Sequence, residues 1–263
     1  MAYFRLKAVL AAAVLAAGMV GGAISASAKT VDEIIKSGSV TIGVVAGAPP
    51  YGSIDSSGNP VGYDIDVANL VGKYLGVKTK LVPLTPPARI PALEAGRVDF
   101  LVATLAPTPE RAKAVLFTIP YSAFQVAIYS TKARNIHDWK DLKDLRVGVN
   151  NGSSVEKILV DHNLNVVRFQ DDSTTIQALF SGQVDAVAEP DAQANAALKA
   201  RASADMEQKF VFSIQPNSMT VRKGDTELHQ WLNNLIYYIK LNGELDKISQ
   251  KWIGSPLPNL PTF

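Results

Sequence analysis

The sequence predicts an α/β protein of two similar lobes joined by a two-strand hinge. Three observations lead there. Strand-like and helix-like segments alternate along the chain, a helix–glycine–strand unit occurs twice, and two apolar β-rich runs are placed to carry the chain across and back. Such alternation builds parallel sheets covered by helices.

The first 28 residues read as a leader outside the fold. Arg5 and Lys7 precede an apolar run from Ala8 to about Val20, and Ala26-Ser27-Ala28 forms an A-x-A cleavage pattern. The run is rich in Ala and Gly, whereas a spanning helix takes roughly 20 strongly apolar residues. Removing 28 of the 263 residues leaves 235, enough for one large domain or two small ones. Because the leader holds two of the 26 basic residues, the remainder balances at 24 basic against 24 acidic. That balance points to no nucleic acid and no anionic membrane surface. With no cysteine, thiolate zinc sites, cysteine nucleophiles and lipid attachment through an N-terminal cysteine are excluded. His137, His162 and His229 are scattered without metal-ligand spacing, so no metal or cofactor is expected. A free periplasmic protein is the expectation, and nothing suggests an oligomer over a monomer.

Along the chain, Ser39 to Val45 is a β-rich run that ends in a Gly/Pro-rich loop. From Asp64 to Leu75 the helical spacing of Ile65, Ala68, Val71 and Leu75 predicts a helix, which Gly76 ends. Thr79 to Leu84 reads as the next strand. The repeat follows: Ile90-Pro91-Ala92-Leu93-Glu94-Ala95-Gly96-Arg97-Val98-Asp99 resembles Ile176-Gln177-Ala178-Leu179-Phe180-Ser181-Gly182-Gln183-Val184-Asp185. Each reads as a helix stopped by glycine and a sharp entry into a buried strand. A second echo links Ile42 to Gly47 with Val147 to Gly152, in the same order along the chain. Tyr121 to Ser130 and Phe210 to Val221 are the hinge runs. Residues 29–122 and 218–263 are then expected to form lobe 1, and 123–217 lobe 2 with the hinge strands. Ligands of open α/β sheets bind beyond the carboxyl ends of the strands, so the cleft between the lobes is the expected site.

Gly62-Tyr63-Asp64-Ile65-Asp66-Val67, followed by Val71, Gly72 and Leu75, resembles the signature of the family-3 bacterial extracellular solute-binding proteins. Pro49-Pro50-Tyr51, Ile90 to Leu93, Thr108-Pro109-Glu110-Arg111, Phe117 to Tyr121 and Lys251-Trp252-Ile253-Gly254 extend the likeness over the chain beyond the leader. The resemblance implies the periplasmic binding protein-like II fold, closure of two lobes on a polar amino acid or related carboxylate, and delivery to an ABC transporter permease.

Arg111 is the leading site residue. Thr108 reads as an N-cap with Pro109 at N1, which puts Arg111 at N3, where a cation opposes the helix dipole. That cost is accounted for if its paired N–H groups hold a carboxylate; the resemblance implies the ligand's α-carboxylate. A solvated arginine paired with Glu110 is the bland alternative. Thr104 aligns with a family position that supplies hydroxyl or backbone contacts, though plain strand packing also accounts for it. Ala106 stands where many members carry Ser or Thr, leaving a backbone N–H. Asn150-Asn151-Gly152-Ser153-Ser154 opens a helix, whose free amides with Asn150, Ser153 and Ser154 form an anion cradle or, in Ser153, merely a cap. Arg89 is either a second positive contact or an exposed loop arginine. Asp64 and Asp66 read as structural carboxylates of an early helix turn, and Tyr51 as wall or core.

Two departures, over three positions, set the chain apart from related amino-acid binders. Val45 and Ala48 stand where an aspartate and an aromatic are usual, and Pro190 where an aspartate receives the ligand's ammonium. A buried ammonium still needs an anion, with Glu189 first and Asp191 second as candidates, or else a solvated acidic turn and a ligand without an amino group. The rival class is an enzyme: cyclohexadienyl dehydratases resemble this family, and Glu189 would then be the general acid. No G-x-S-x-G, P-loop or H-E-x-x-H motif accompanies it.

Overall fold

A computed structural model describes residues 30–201 and 205–258. The leader read at residues 1–28 lies outside the described residues. Thr30 caps α1 (Val31–Ser37) with a full capping box, its hydroxyl on the Glu33 amide and the Glu33 carboxylate on its own N–H. Then come β1 (Ser39–Val45), a short ribbon of β2 (Ser53–Ile54) and β3 (Pro60–Val61), α2 (Tyr63–Leu75) and β4 (Lys78–Leu84). A 3₁₀ turn at Pro86–Ala88 leads into α3 (Arg89–Glu94), β5 (Phe100–Val102), α4 (Pro109–Ala112) and the long β6 (Val115–Ser130). The second half holds β7 (Arg146–Asn150), α5 (Ser154–Asp161), β8 (Asn165–Phe169), α6 (Asp172–Phe180), β9 (Ala186–Pro190) and α7 (Asp191–Ala200). The chain returns through β10 (Glu207–Arg222) and ends with α8 (Thr226–Leu241) and α9 (Glu244–Trp252).

All strands except β2 and β3 join one mixed sheet in the order β4-β1-β5-β10-β6-β9-β7-β8. Parallel β4-β1-β5 lies at one end and parallel β9-β7-β8 at the other, each covered by its own helices. Antiparallel β6 and β10 run through both ends. Their 16 residues each exceed the predicted runs, and their pairing slips at four places, between Gln208 and Phe210, Val211 and Ser213, Asn217 and Ser218, and Ser218 and Thr220. Such irregularities bend and twist a ribbon. The fold is two-lobed.

The sequence echo is reproduced atom by atom. Asp99 donates its N–H to the Thr41 carbonyl at 2.7 Å and accepts the Thr41 N–H on its carboxylate at 2.8 Å. Asp185 does the same with Arg146, at 2.9 and 3.0 Å. Each aspartate ties the turn after a helix to the first strand of its own lobe.

Asp64 and Asp66 are structural by a different route from the expected helix-end role. The N-cap of α2 is Gly62, with no side-chain cap bond. Asp64 is fully buried and accepts the Tyr121 hydroxyl at 2.8 Å. Asp66 accepts Lys251 Nζ at 2.6 Å and Trp252 Nε1 at 2.7 Å, which fastens α9 to α2.

Candidate functional site

Between the lobes lies a cleft of about 430 Å³, partly open to solvent. One wall comes from Pro86, Arg89, Thr104 and Arg111, the other from Asn150, Ser153, Ser154, Asp172, Pro190 and Gln193, with Phe124 and Gln215 from the hinge strands.

Thr108 caps α4, its hydroxyl accepting the Arg111 amide at 3.3 Å, which fixes Arg111 at the expected position. The Arg111 guanidinium donates through Nη1 to Ala106 O and through Nη2 to Gly152 O, both at 3.0 Å. Burial pushes its pKa down, against the opposing pull of Glu110. Ala106 is not a wall of this cleft; its carbonyl, rather than its N–H, holds the arginine in place.

Arg89 is neither exposed nor in a loop. It begins α3 and is 4% exposed, with Nε on Pro86 O at 2.9 Å and Nη1 on Ala103 O at 2.8 Å and Thr104 O at 3.2 Å. Burial and the Arg111 charge lower its pKa to about 9, opposed by Asp172, so it is charged at neutral pH. Thr104 has φ 46, a left-handed conformation that a β-branched residue rarely takes. Its N–H donates to Tyr121 Oη at 3.1 Å and its carbonyl accepts from Arg89 and, at 3.4 Å, from Gln215 Nε2. Those bonds over-determine the backbone there, the condition under which strain persists at a functional site.

In the other wall, Ser153 is the N-cap of α5, its Oγ accepting the Glu156 amide at 3.1 Å. The amide cradle is narrower than expected. Gly152 N–H is taken by Glu156 Oε2 at 2.9 Å and Ser153 N–H points at Asn150 O at 3.4 Å. The amides of Ser154 and Val155 remain, at positions that have no acceptor within a helix. Ser154 Oγ donates to Gln215 Oε1 at 2.7 Å, so the hinge glutamine ties both walls together.

Glu189 and Asp191, the expected partners of an ammonium, do not face this cleft. Side chains alternate along a strand. Ala188 and Pro190 of β9 face the cleft, so Glu189 between them turns to the opposite face, fully buried beside Asp172 and Thr175. Burial and then the Asp172 charge raise its pKa well above its ordinary value. Asp191 lines a second, larger and mostly apolar cavity of about 1230 Å³ with Tyr51, Tyr63 and Gln125, which shares Phe124 as a wall.

Asp172, Gln193 and Gln215 are cleft residues that sequence reasoning missed. The echo carried a signal for the first. Its offset of 86 residues, from Gly96 to Gly182, maps Pro86 onto Asp172 and Thr104 onto Pro190, and all four line the cleft.

A cleft at the carboxyl ends of two facing half-sheets, with polar groups from both sides, defines a two-lobed ligand-binding protein. The model of the bacterial extracellular solute-binding proteins, family 3, matches residues 40–255, and the chain belongs to that family. It is 27% identical over 228 residues to the L-cystine-binding protein TcyJ of Escherichia coli (strain K12), covering 85% of this chain and 86% of that protein. A solved ancestral arginine-binding protein with bound arginine is 38% identical, with a TM-score of 0.77 over 82% of this chain and 99% of its own. An ancestral amino acid-binding protein described as a precursor of cyclohexadienyl dehydratase is 33% identical, with a TM-score of 0.77 over 85% and 98% of the two chains.

Proposed function

We propose that this chain is the periplasmic binding component of an ABC importer, a monomer that captures an amino acid or closely related carboxylate and presents it to the permease. Residues 1–28 are then a cleaved export signal, 29–122 with 218–263 one lobe, and 123–217 the other. The reading rests above all on Arg111, whose guanidinium is steered by Ala106 O on its own side and reaches Gly152 O on the other. A carboxylate displacing the Gly152 carbonyl from Nη2 gains charge-assisted bonds in their place. Thr104, Ser153 and Ser154 stand beside it, with Arg89 behind as a second fixed positive charge. The relatives' described ligands, L-cystine and arginine, share the α-amino acid core. A ligand that touches both walls favours the closed arrangement by its differential affinity.

A thermal-shift screen over the L-amino acids, opines and small carboxylates tests this. A true ligand at 100 times its dissociation constant adds about 2.7 kcal/mol of stability, and a screen without a single hit overturns the reading. Against the dehydratase alternative stands Glu189, which faces away from the cleft where a general acid is needed. Incubation with arogenate or prephenate is expected to yield no product.

A further inference from the structure

The charged groups of the cleft divide by sign. On the side of α3 and α4 stand the guanidinium groups of Arg89 and Arg111; the opposite wall carries the Asp172 carboxylate, the side-chain amides of Asn150 and Gln193, and the start of α5. Asn150 Oδ1 and Gln193 Oε1 are buried and have no hydrogen-bond donor. Gln193 is 2% exposed and Asp172 4% exposed. The Asn150 amide is fixed in orientation, because its Nδ2 donates to Asp172 Oδ1 at 2.8 Å and so turns its Oδ1 away. Among the described residues Asp172 is in no salt bridge. Buried acceptors without donors are rare in native proteins and call for a missing partner.

We propose that Asp172, with Asn150 Oδ1 and Gln193 Oε1, receives the ammonium group of a zwitterionic α-amino acid. The inference rests on the proposed binding of a carboxylate at Arg111 and adds the ligand's other pole. An ammonium has three N–H donors and no acceptor, and this wall offers two buried acceptors without a donor, beside the carboxylate of Asp172. Asp172 begins α6, a nine-residue helix whose N-terminus favours a negative charge. Behind it lies the fully buried Glu189; burial raises the pKa of Asp172 as well, and hydrogen bonds from Glu189 and Asn150 and the charge of Arg89 counter that rise at Asp172. Pro190 lines the same wall with no hydrogen-bonding side chain, which moves recognition of the ammonium from the end of β9 to the start of α6.

Calorimetry on amino acids and their deamino counterparts separates the two poles. Suitable pairs are L-alanine with propionate, L-leucine with 4-methylpentanoate, L-phenylalanine with 3-phenylpropionate, L-glutamine with glutaramate and L-arginine with 5-guanidinopentanoate. For the pair that binds tightest, Asp172→Asn is expected to weaken the amino acid at least about 30-fold and the deamino acid less than about threefold. Gln193→Leu is expected to weaken the amino acid at least about tenfold, as for one lost hydrogen bond to a charged group. If Asp172→Asn binds the amino acid as the wild type does while Arg111→Ala has lost it, the ammonium assignment is overturned and the carboxylate clamp stands. Circular dichroism checks that Asp172→Asn folds; should it not, Gln193→Leu decides, and an unchanged preference for the amino acid overturns the assignment. A wild type that binds no member of any pair overturns both the clamp and the ammonium site.

Discussion

Arg111 bridges the cleft: its Nη2 lies 3.0 Å from the carbonyl oxygen of Gly152 in the opposite wall, while Nη1 is fixed at the same distance on Ala106 O. One guanidinium edge is thus held by its own lobe, and the other spends its donor on a neutral carbonyl. A ligand carboxylate is the stronger partner for that donor. Arg111→Ala is therefore expected to weaken binding of the best amino acid from the screen at least about tenfold, and Arg111→Lys to restore only part of it, since an ammonium lacks the planar fork. Calorimetry reads both, and an unchanged affinity in Arg111→Ala removes the clamp.

Two loop glycines lean on the opposing lobe. Gly47, at φ +72, would bring a Cβ within 2.4 Å of Asp171 Oδ2, and its carbonyl accepts the Ser173 N–H at 2.9 Å. Gly152, at φ +73, would bring a Cβ within 3.0 Å of Pro87 Cα. An alanine at either position carries the left-handed cost of about 1–2 kcal/mol and also obstructs closure. Gly182 is a matched control, with the same φ of +73 and nothing within 4 Å of its Cβ position. All three alanine variants are expected to lose similar stability, but only those at Gly47 and Gly152 should show a larger radius of gyration by X-ray scattering and weaker ligand binding. Equal behaviour of all three refutes a role for the loops in closure.

The elements that local pattern specifies were legible in the sequence. The residues of β1 and the apolar stripe of α2 with its Gly76 stop identify themselves, and the Asp99 and Asp185 echo exposed the repeat of the lobes. The cleft's polarity was not legible to the same degree. Every residue of β9 is buried, so no polar–apolar alternation tells whether Glu189 or its neighbours face the ligand. The fate of Arg89 depends on carbonyls at Ala103 and Thr104, beyond the strand that follows its helix, which no spacing rule announces. Asp172 was hidden because an acidic residue at a helix start reads first as a partner of the dipole.

Asp66 offers a test of stability apart from binding. Its carboxylate joins Lys251 and Trp252 of α9 to α2, far in sequence and outside the cleft. Asp66→Ala is expected to lower the unfolding free energy by about 1–2 kcal/mol, mostly through the indole bond, because the lysine is largely exposed. Urea denaturation measures the loss. Ligand affinity should stay within about twofold of the wild type, as expected for a site remote from the binding residues; a larger fall places α9 in the binding machinery.

Asp64 should make stability depend on pH in the direction opposite to that of most carboxylates. Burial raises its pKa from 3.8 to about 7, although the Tyr121 hydroxyl and the nearby Arg89 pull it the other way. The folded protein therefore holds this proton more tightly than the unfolded chain does. Its stabilising contribution is complete below about pH 4 and is lost as pH rises to about 7, by an upper bound of roughly 4 kcal/mol for three pH units. Asp64→Asn keeps an oxygen for the Tyr121 hydroxyl and removes the titration. Between about pH 4.5 and 7.5 the unfolding free energy of the wild type is expected to fall relative to Asp64→Asn. Parallel curves for the two proteins in urea denaturation mean that Asp64 holds no extra proton in the folded state, and its burial against Tyr121 then has another electrostatic basis.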